Sequence, residues 1–363
     1  MFLDIMPRAF GLDIDDFSLK VALIEYRGGL HKKRSYFLKN YNAIEIPSGL
    51  VKDGEIKDAK KLRIYLETLL QQAVNGPINL KNVFASLPEN RTFLKEIIVP
   101  NAANTDIASF LKQELEKQIP ANVDDLYLDW QTVEMQTSGK TKLLVGATPK
   151  SLIDGYLAFF EESGITPLVL EPESLSIVRA LLEDGSASLP DRTTVIIDFG
   201  GARTEIIFCE NNNVRLSISS EISGSLLTKA IAEKEKINLE EAEKLKLQCG
   251  LDPSKCETSI KPILLNHLKK LIENVRLAIR YYQGYVAPNA LVEKILTCGG
   301  GANMDKLGNT LARELKIKTS GAMPQLSLKK PRFLILNQNK FLSLTTAIGL
   351  AKRAATNDIF NNI

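Results

Sequence analysis

The sequence predicts an α/β protein in which two related lobes enclose a cleft. Three observations support this fold class: a strand, turn and strand unit that occurs twice, helices that alternate with strands, and a third strand that runs into three glycines. Residues 10–25 and 195–210 align without a gap when Asp13 is placed on Asp198. A supersecondary unit used twice is typical of a duplicated α/β domain, whose two turns then face each other across the cleft.

The composition is that of an ordinary globular protein with more than one lobe. The 363 residues are 44% hydrophobic and 25% charged, which suffices for a large core. The 46 basic and 43 acidic residues nearly balance, so the sequence predicts no nucleic-acid partner. The four cysteines have neither CxxC spacing nor neighbouring histidines, which disfavours a metal site and fits a reducing compartment.

No segment predicts a membrane span or a signal peptide. The apolar runs are all shorter than the ~18 to 20 residues that a spanning helix needs. Asp4 and Arg8 interrupt the start of the chain, where a signal peptide would require an apolar core. We therefore expect a cytoplasmic protein with no direct membrane insertion.

Regular elements fill the chain between and around the two repeated units. Amphipathic patterns, capping residues, glycines and prolines define most of their ends. The predicted helices are 58–73, 106–118, 151–163, 174–182, most of 224–283, 304–315 and 342–355, and the further predicted strands are 82–86, 141–148 and 294–298.

The residue types at the two repeated turns suit a phosphate ligand. Glycines after a buried strand let backbone N–H groups approach an anion, and an aspartate at the strand end can hold a hydrated Mg²⁺ against the same phosphates. The glycine turn 299–302, which leads into a helix, adds a third close surface for a base or ribose. One Asp-x-Gly-Gly turn is more often a plain structural hairpin, but three such motifs in this order favour a nucleotide site.

On these motifs the chain resembles the actin-like ATPase superfamily, which includes actin, heat-shock chaperone ATPases, sugar kinases and the division protein FtsA. Residues 13–20 are similar to the first phosphate loop of that superfamily, 197–204 to the second, and 297–303 to its adenosine motif. The resemblance implies an actin-like ATPase fold, two duplicated α/β lobes around a nucleotide cleft, with ATP and Mg²⁺ as cofactors. Asp13 and Asp198 would hold the metal through water. The implied nucleotide-binding residues are Asp13, Asp15, Asp16, Phe17, Ser18, Lys20, Asp198, Gly200, Gly201, Ala202, Thr204, Glu243, Lys246, Gly299, Gly300, Gly301 and Ala302.

The middle of the chain is similar to the PilM family of type IV pilus assembly proteins. Four segments carry this match: 86–100, 114–120, 128–131, and 147–150 with its following helix. The resemblance implies an extra subdomain in the first half, as in PilM and FtsA and unlike sugar kinases. It also implies a partner, the cytoplasmic peptide tail of a PilN-like single-span membrane protein, and a location at the inner face of the cytoplasmic membrane. Contacts with the pilus assembly ATPase machinery and a homo-oligomer are compatible with it.

These similarities divide the chain into four predicted parts. The parts are a first lobe at 1–85, to which 174–193 and about 330–363 return, an extra subdomain at 86–173, a second lobe at 194–225 and 290–329, and a helical subdomain of the second lobe at 226–289. The function that this organisation implies is an ATP-binding scaffold of a type IV pilus or related secretion machine.

The first loop departs from the family pattern at one position. Where the superfamily has Asp-x-Gly, this chain has Asp13-Ile14-Asp15, and the repeat places Asp15 on Gly200. We expect aspartate to adopt the left-handed backbone here at a cost of ~1 kcal/mol. Its carboxylate would repel a triphosphate unless Mg²⁺ or Lys20 offsets the charge. The alternative is a degenerate, nucleotide-free scaffold.

Three charged residues outside the loops resemble functional positions. The Ala-Glu-x-x-Lys pattern at 242–246 is similar to the superfamily segment that contacts ribose and adenine, which implies roles for Glu243 and Lys246; the alternative is a solvated helix face with charge pairs. Glu171-Pro172 resembles the chaperone pair whose glutamate orients the hydrolytic water, which implies a catalytic Glu171. A glutamate at a helix start is also favoured by the helix dipole alone. Any ATPase activity is expected to be slow.

Two other functions share this fold. FtsA, a polymerising cell-division protein, reaches the membrane through a C-terminal amphipathic helix after a linker, and the sequence shows no such helix after its last predicted one. A kinase needs a substrate pocket with a positioned base, and no further motif indicates one. The sequence therefore favours the pilus or secretion scaffold over these alternatives.

Overall fold

The structure is a computed structural model of the chain. It describes residues 7–27, 35–100, 105–119, 122–135, 139–182, 192–256, 260–288, 290–324, 328–329 and 338–356. Parts of the predicted first lobe lie outside the described residues, namely 1–6, 28–34, 183–191, 330–337 and 357–363.

Strands and helices alternate along the described chain. The strands are β1 (Ala9–Ile14), β2 (Ser18–Arg27), β3 (Ser35–Glu45), β4 (Val51–Lys52), β5 (Glu55–Ile56), β6 (Asn82–Leu87), β7 (Phe93–Pro100), β8 (Leu126–Met135), β9 (Lys140–Pro149), β10 (Thr166–Pro172), β11 (Arg192–Phe199), β12 (Thr204–Glu210), β13 (Asn213–Ser220), β14 (Leu291–Cys298), β15 (Lys318–Gly321) and β16 (Leu328–Lys329). The helices are α1 (Ala59–Gln71), α2 (Ile107–Glu116), α3 (Lys150–Glu162), α4 (Glu173–Leu182), α5 (Gly224–Glu235), α6 (Leu239–Cys249), α7 (Lys261–Tyr281), α8 (Leu307–Leu315), α9 (Gln338–Ser343) and α10 (Thr345–Thr356). None of these described helices is both long enough and apolar enough to cross a membrane.

The first lobe is built on a six-stranded sheet with the strand order β10-β6-β1-β2-β3-β16. Strands β1 and β2 form the first predicted hairpin, in which Asp13 lies opposite Lys20. Leu12 and Val21 belong to the core that α1 and α3 form on one face of the sheet, and Ala22 belongs to a second core that includes α4 and α10. Because successive side chains of a strand point to opposite faces, one sheet supports both layers of helices.

The second lobe contains a five-stranded sheet with the strand order β13-β12-β11-β14-β15. Strands β11 and β12 form the second predicted hairpin, in which Asp198 lies opposite Glu205. This register matches that of Asp13 and Lys20, so the predicted repeat is confirmed. Helices α5 to α8 share one core with this sheet, and α4 contributes to the core on its other side.

A separate three-stranded sheet with the order β7-β9-β8 forms the centre of the extra subdomain. Helix α2 packs Leu111 and Leu115 against Val145 on one of its faces. Strand β10 and helix α3 were predicted to belong to this subdomain, but β10 pairs with β6 of the first-lobe sheet and α3 packs in the first-lobe core. We therefore propose that the extra subdomain extends over about 92–149 and ends before α3.

Side-chain caps explain why several helices begin where the sequence predicts. Asp58 accepts a hydrogen bond from the backbone N–H of Lys61, and Asp106 accepts one from that of Ser109. Asn238 caps α6 in a reciprocal capping box with Glu241. These bonds satisfy N–H groups that the first helical turn leaves without a partner, which favours helix initiation at these positions.

Cys249 and Cys256 form a disulfide, and their Cα atoms are 5.7 Å apart. The sequence patterns did not predict this bond. The bond closes the short segment that follows α6. Cys209 and Cys298 are buried and free.

Helices α4 and α10 cross at a very short distance between the two lobes. A Cβ atom on Gly349 would lie 1.8 Å from the carbonyl oxygen of Ser176, so only glycine allows this approach. Glu171, near the end of β10, accepts hydrogen bonds from Arg179 of α4 and Arg353 of α10. A direct backbone contact and a buried ion cluster therefore join the two helices.

Replacement of Gly349 by alanine is expected to destabilise the protein strongly. The added methyl group would overlap the Ser176 carbonyl oxygen and force α4 and α10 apart, at a cost of ~3 kcal/mol or more. Urea denaturation followed by circular dichroism measures this loss of unfolding free energy. Gly155→Ala in α3 is the control, because nothing lies within 4 Å of its new methyl group and alanine favours a helix by ~1 kcal/mol. Equal denaturation midpoints for the two variants would contradict the prediction.

Candidate functional site

The first loop of the site is organised around Asp13, which is buried at the carboxyl-terminal end of β1. Its carboxylate accepts one hydrogen bond from Lys20 Nζ and one from Ser86 Oγ, both at 2.9 Å. Ser86 reaches Asp13 because β6 runs parallel to β1 and ends beside it. Burial lowers the pKa of Lys20, but attraction by Asp13 and Asp15 outweighs this effect and raises it. Lys20 therefore stays charged and is held at the mouth of the first loop.

The turn that follows Asp13 closes without the left-handed residue that the sequence analysis expected. Asp15 and Ser18 exchange backbone hydrogen bonds of 3.0 and 3.4 Å, and the φ angle of Asp15 is not positive. That expectation was wrong because this turn needs no positive φ at the position aligned with Gly200. The Asp15 carboxylate lies 3.5 Å from Lys20 Nζ. Burial raises the pKa of Asp15, although Lys20 opposes the shift.

Asp16 and Phe17, also predicted as nucleotide contacts, make contacts within the protein. The two carboxylate oxygens of Asp16 accept hydrogen bonds from the backbone N–H groups of Asp53 and Gly54, at 2.8 and 2.9 Å. These residues form the turn between β4 and β5, so Asp16 holds that hairpin against the loop. The ring of Phe17 lies where a Cβ atom on Gly201 would be 3.2 Å away. Phe17 thus brings the first and second loops together.

The second loop is held on the first turn of α5. The carbonyl oxygens of Gly200 and Gly201 accept hydrogen bonds from the backbone N–H groups of Gly224 and Ser225, at 2.9 and 3.0 Å. A Cβ atom on Gly200 would lie 2.8 Å from the Arg203 carbonyl oxygen, which explains glycine there. Beyond these glycines, Ala202 is half-buried, and the hydroxyl of Thr204 is buried and donates to the carbonyl oxygen of Ile222. The Thr204 hydroxyl is therefore occupied by a structural bond.

The glycine turn after β14 folds over the end of β11. Gly299 has a φ of +83°, and a Cβ atom on it would lie 2.4 Å from a carboxylate oxygen of Asp198. A Cβ atom on Gly301 would lie 2.8 Å from the ring of Phe199. Gly300 borders open space, and the N–H of Ala302 closes the turn on the Gly299 carbonyl oxygen at 3.2 Å. The structure thus places the glycine turn against Asp198, next to the second loop.

Lys246 of α6 lies against the same turn of α5 as the second loop. Its buried ammonium group donates to the Gly224 carbonyl oxygen at 3.0 Å, to Thr228 Oγ1 at 2.8 Å and to Glu243 Oε2 at 2.7 Å. The alternative of a fully solvated helix face is therefore wrong for Lys246. Glu243 is more exposed and bonds Thr228 as well, so both predicted residues contact α5, the helix whose first turn holds the second loop.

Glu171, the predicted catalytic residue, lies in a buried ion cluster. Burial acts to raise the pKa of Glu171, but its ion pairs with Arg179 and Arg353 outweigh burial and lower it. Both carboxylate oxygens are engaged by these arginines. These contacts link β10, α4 and α10, and we propose a structural role for Glu171 in place of the catalytic role that the chaperone resemblance implies.

Two acidic residues that the sequence analysis missed face the site. Glu205, directly opposite Asp198 in the second hairpin, is 5% exposed and accepts a hydrogen bond from Ser219 Oγ at 2.7 Å. Its other oxygen has no hydrogen-bond partner within the described part of the chain. Glu173 is the first residue of α4, and its pKa is raised by burial and by repulsion from Asp13. The repeat alignment could have identified Glu205, because it occupies the position of Lys20 in the second unit.

The site combines close-approach glycines with an excess of negative charge. Burial raises the pKa of Asp198 to about 6, against the attraction of Lys20 and with further repulsion from Asp13. Burial and repulsion from Glu89 raise the pKa of Glu205 to about 8. Among the described residues, no three or more His, Cys, Asp or Glu side chains form a ready-made metal site. An anionic ligand therefore needs an accompanying cation here, in addition to Lys20.

Comparison with known proteins gives a consistent result over nearly the whole chain. The model of the family described as type IV pilus assembly protein PilM matches residues 11–355. The structure is similar to that of a PilM-PilN type IV pilus biogenesis complex, with a TM-score of 0.81 and 22% identity over 96% of this chain and 98% of that chain. It is also similar to MreB 5 of Spiroplasma citri bound to AMPPNP, with a TM-score of 0.57 and 14% identity over 99% of each chain. The ethanolamine utilization protein EutJ from Carboxydothermus hydrogenoformans gives a TM-score of 0.51 and 14% identity over 95% of this chain and 89% of that chain. These likenesses confirm the predicted actin-like fold.

The unfolding free energy is expected to fall between about pH 5 and pH 8, partly because of Glu205. The pKa of Glu205 is raised from ~4.3 in the unfolded chain to about 8, so the folded state binds its proton more tightly over this range. The stabilisation by the protonated Glu205 carboxyl group is present at low pH and is lost as the pH rises. Its size is ~1.4 kcal/mol per unit of difference between the folded and unfolded pKa values. Glu205→Gln should therefore stabilise the protein at pH 8 and change little at pH 5.

Urea denaturation of both proteins across this pH range tests the expectation. Glu233→Gln on the exposed face of α5 is the matched control and should leave the pH dependence unchanged. Parallel pH profiles for wild type and Glu205→Gln would refute the assignment.

Proposed function

This chain belongs to the PilM family of type IV pilus assembly proteins, and from that membership we propose that it is an ATP-binding scaffold that recruits a membrane partner of a pilus or related secretion machine. The observation that carries the proposal is an actin-like cleft joined to an extra subdomain whose edge strand is open. The scaffold would act in the cytoplasm, at the inner face of the membrane, through its partner rather than by insertion. Nucleotide turnover, where it occurs, would be slow.

In this proposal the cleft holds Mg-ATP between three turns. Gly300 of the glycine turn borders open space, so a ligand can approach the main chain there, and Lys20 supplies positive charge at the first loop. Mg²⁺ would bind through water to Asp13 and Asp198, and it would offset the repulsion between those carboxylates and the phosphates. Glu243 and Lys246 contact α5, the helix whose first turn holds the second loop, and would lie beside ribose and adenine.

Two alternatives differ from this proposal in what they require. An FtsA-like polymerising protein requires contacts between copies of the chain, and a degenerate scaffold requires no nucleotide. The first loop is the feature that favours the degenerate alternative, because Asp15 adds a buried carboxylate beside Lys20. A measurement of nucleotide binding distinguishes the degenerate scaffold from the proposed function. Sedimentation of the protein in the presence of nucleotide distinguishes a polymerising protein from both.

Recruitment is proposed to occur in a groove between β8 of the extra subdomain and α3 of the first lobe, here called the recruitment groove. β8 is an edge strand, since it pairs only with β9 in the described sheet. Tyr127 of β8 donates a hydrogen bond to Asp154 of α3 at 3.2 Å, and Lys150 Nζ lies 5.7 Å from the centre of the Tyr127 ring. Leu157 follows Asp154 on the same face of α3 and is 42% exposed.

An extended peptide fits the recruitment groove on physical grounds. The open edge of β8 offers backbone hydrogen bonds, while Tyr127 and Leu157 offer apolar contacts for alternate side chains. The neighbouring PilM-PilN structure supports the choice of partner, because that protein was determined as a complex with PilN. We therefore propose the cytoplasmic tail of a PilN-like single-span membrane protein as the occupant. Ordering this flexible tail would cost part of the binding energy, so a moderate affinity is expected.

The nucleotide assignment predicts that Gly200→Glu abolishes Mg-ATP binding. The new side chain would overlap the Arg203 carbonyl oxygen and place a carboxylate where phosphate is expected. Titration calorimetry with ATP and Mg²⁺ measures the affinity. Gly308→Glu on α8 is the matched control, because it adds the same charge where nothing lies within 4 Å.

Asp15→Gly should strengthen Mg-ATP binding, since it removes a carboxylate beside Lys20. A wild-type protein that gives neither heat nor a thermal shift with nucleotide would establish the degenerate scaffold instead.

The recruitment assignment predicts that Leu157→Asp weakens peptide binding about tenfold or more, because it removes an apolar contact and adds charge in the groove. Fluorescence anisotropy with a synthetic peptide from the cytoplasmic tail of the PilN-like protein encoded beside this gene measures the affinity. Ile64→Asp, at a 60% exposed position on α1, is the control and should bind as wild type does. If Leu157→Asp keeps full affinity, the tail binds elsewhere and the groove assignment fails.

A further inference from the structure

The disulfide between Cys249 and Cys256 is a feature that the proposed function does not use. Cys249 is the last residue of α6 and is buried in the second-lobe core, whereas Cys256 is partly exposed at the end of the segment 250–256. Disulfides are rare in a reducing cytoplasm, and those that form there are usually transient, catalytic or redox-sensing. Because Cys256 is partly exposed, another thiol can approach this bond, which suits reversible exchange.

The segment 250–256 packs against the chain that leaves the glycine turn. The backbone N–H of Leu251 donates a hydrogen bond to the carbonyl oxygen of Asp305 at 3.0 Å. Gly250 has a φ of +51°, and a Cβ atom on it would lie 2.6 Å from the Asp305 backbone nitrogen, so glycine allows this close contact. Asp305 comes soon after the glycine turn 299–302 in the chain. The closed segment therefore supports the exit of that turn.

Two ion pairs cross the same contact. Lys255 Nζ lies 2.9 Å from a carboxylate oxygen of Asp305, and Lys306 Nζ lies 3.3 Å from a carboxylate oxygen of Asp252. Partly exposed pairs such as these contribute little alone, since holding long side chains in one geometry costs entropy. The disulfide reduces the conformational freedom of the segment that carries Asp252 and Lys255. The two pairs therefore depend on the closed state of this segment.

The other end of the closed segment leads back to the second loop. Lys246 lies three residues before Cys249 on α6, and its ammonium group donates to the Gly224 carbonyl oxygen of α5. The backbone N–H of Gly224 in turn donates to the Gly200 carbonyl oxygen of the second loop. The disulfide thus lies where α6 meets the chain that leaves the glycine turn. A change at this bond acts on elements that contact both the second loop and the glycine turn.

We propose that Cys249 and Cys256 form a reversible redox switch that controls how firmly the glycine turn is held. On reduction, a thiolate of a dithiol reductant attacks Cys256 Sγ and displaces Cys249 as a thiolate, and the second thiol of the reductant then displaces Cys256. Two electrons and two protons pass from the reductant to the cysteines, and the reductant leaves as a cyclic disulfide. Glutathione disulfide reverses the change and leaves as two glutathione molecules. Reduction opens the segment 250–256 and weakens its contacts with Asp305.

The consequence for ligand binding rests on the proposed function. With Mg-ATP in the cleft, a loosened glycine turn must be ordered when the nucleotide binds, which costs part of the binding energy. The oxidised protein should therefore bind Mg-ATP more tightly than the reduced protein, by about fivefold or more. Oxidation would then strengthen nucleotide binding, and reduction would weaken it.

Hydrogen exchange followed by mass spectrometry tests the switch without nucleotide. Full-length protein oxidised with glutathione disulfide is compared with protein reduced by dithiothreitol. We expect reduction to speed exchange in the peptides that cover 250–256 and 299–306, because fewer backbone groups there stay protected, and to leave α1 unchanged. Cys256→Ser should exchange as reduced wild type does in both buffers. Cys209→Ala is the control, since it removes a buried free thiol and should keep the redox response.

Titration calorimetry with ATP and Mg²⁺ on the same samples tests the coupling to the cleft. Oxidised wild type and oxidised Cys209→Ala should bind more tightly than their reduced forms. Cys256→Ser should show the weaker affinity in both buffers, because it cannot form the bond. Equal affinities of oxidised and reduced wild type, with different exchange, would contradict this coupling.

Equal exchange in the two redox states would overturn the inference, whatever the nucleotide result. A bond that dithiothreitol breaks only in denaturant would do so too, because it would identify a purely structural disulfide. A thiol pair that glutathione disulfide leaves reduced would have the same meaning. If neither form binds ATP while exchange still differs, the proposed nucleotide function fails and the redox switch is supported.

Discussion

The arrangement of the two lobes depends on the close crossing of α4 and α10. Helix α4 follows a strand of the first-lobe sheet and packs Val178 into the core beneath the second-lobe sheet, whereas α10 lies in the core beneath β2. Gly349 lets the helices meet at backbone distance, and Glu171 is paired with Arg179 and Arg353 across them. A shift of either helix would leave a buried carboxylate without a partner, which costs several kcal/mol, on the order of 3 to 5. The contact between α4 and α10 thus connects the cores of the two lobes.

The cleft carries more negative charge than folding alone would favour. Asp13 is satisfied by Lys20 and Ser86, but burial raises the pKa of both Asp198 and Glu205, so their charged forms are disfavoured. Buried polar groups without full hydrogen bonding destabilise the folded state, and a core shaped only for stability would replace them. Acidic residues retained at such a cost are typical of functional sites. Under the proposed function, the bound Mg²⁺ would relieve this repulsion.

Features that are encoded in local sequence patterns could be predicted, and those that depend on distant neighbours could not. The repeat around Asp13 and Asp198 is local, because each unit contains its own strand, turn and strand. Ser86 contacts Asp13 only because β6 and β1 are parallel neighbours, which a single sequence does not reveal. β3 was missed since polar residues such as Asn40 interrupt its apolar pattern. For Glu171 the local motif suggested catalysis, whereas the pairing of its carboxylate with Arg353, 182 positions away, could not be read from the sequence.

Asp16 shows how a residue of the first loop can organise the architecture instead of binding a ligand. Its carboxylate accepts hydrogen bonds from the N–H groups of Asp53 and Gly54, and the carbonyl oxygen of Gly54 accepts one from Tyr156 Oη of α3. Two residues before Tyr156, on the opposite side of the helix, Asp154 of α3 accepts a hydrogen bond from Tyr127 in the proposed recruitment groove. The loop, the hairpin and α3 therefore form one continuous hydrogen-bonded path. Because the first loop cannot move away from the hairpin without breaking two of these bonds, the two halves of the proposed function rest on a single connected framework.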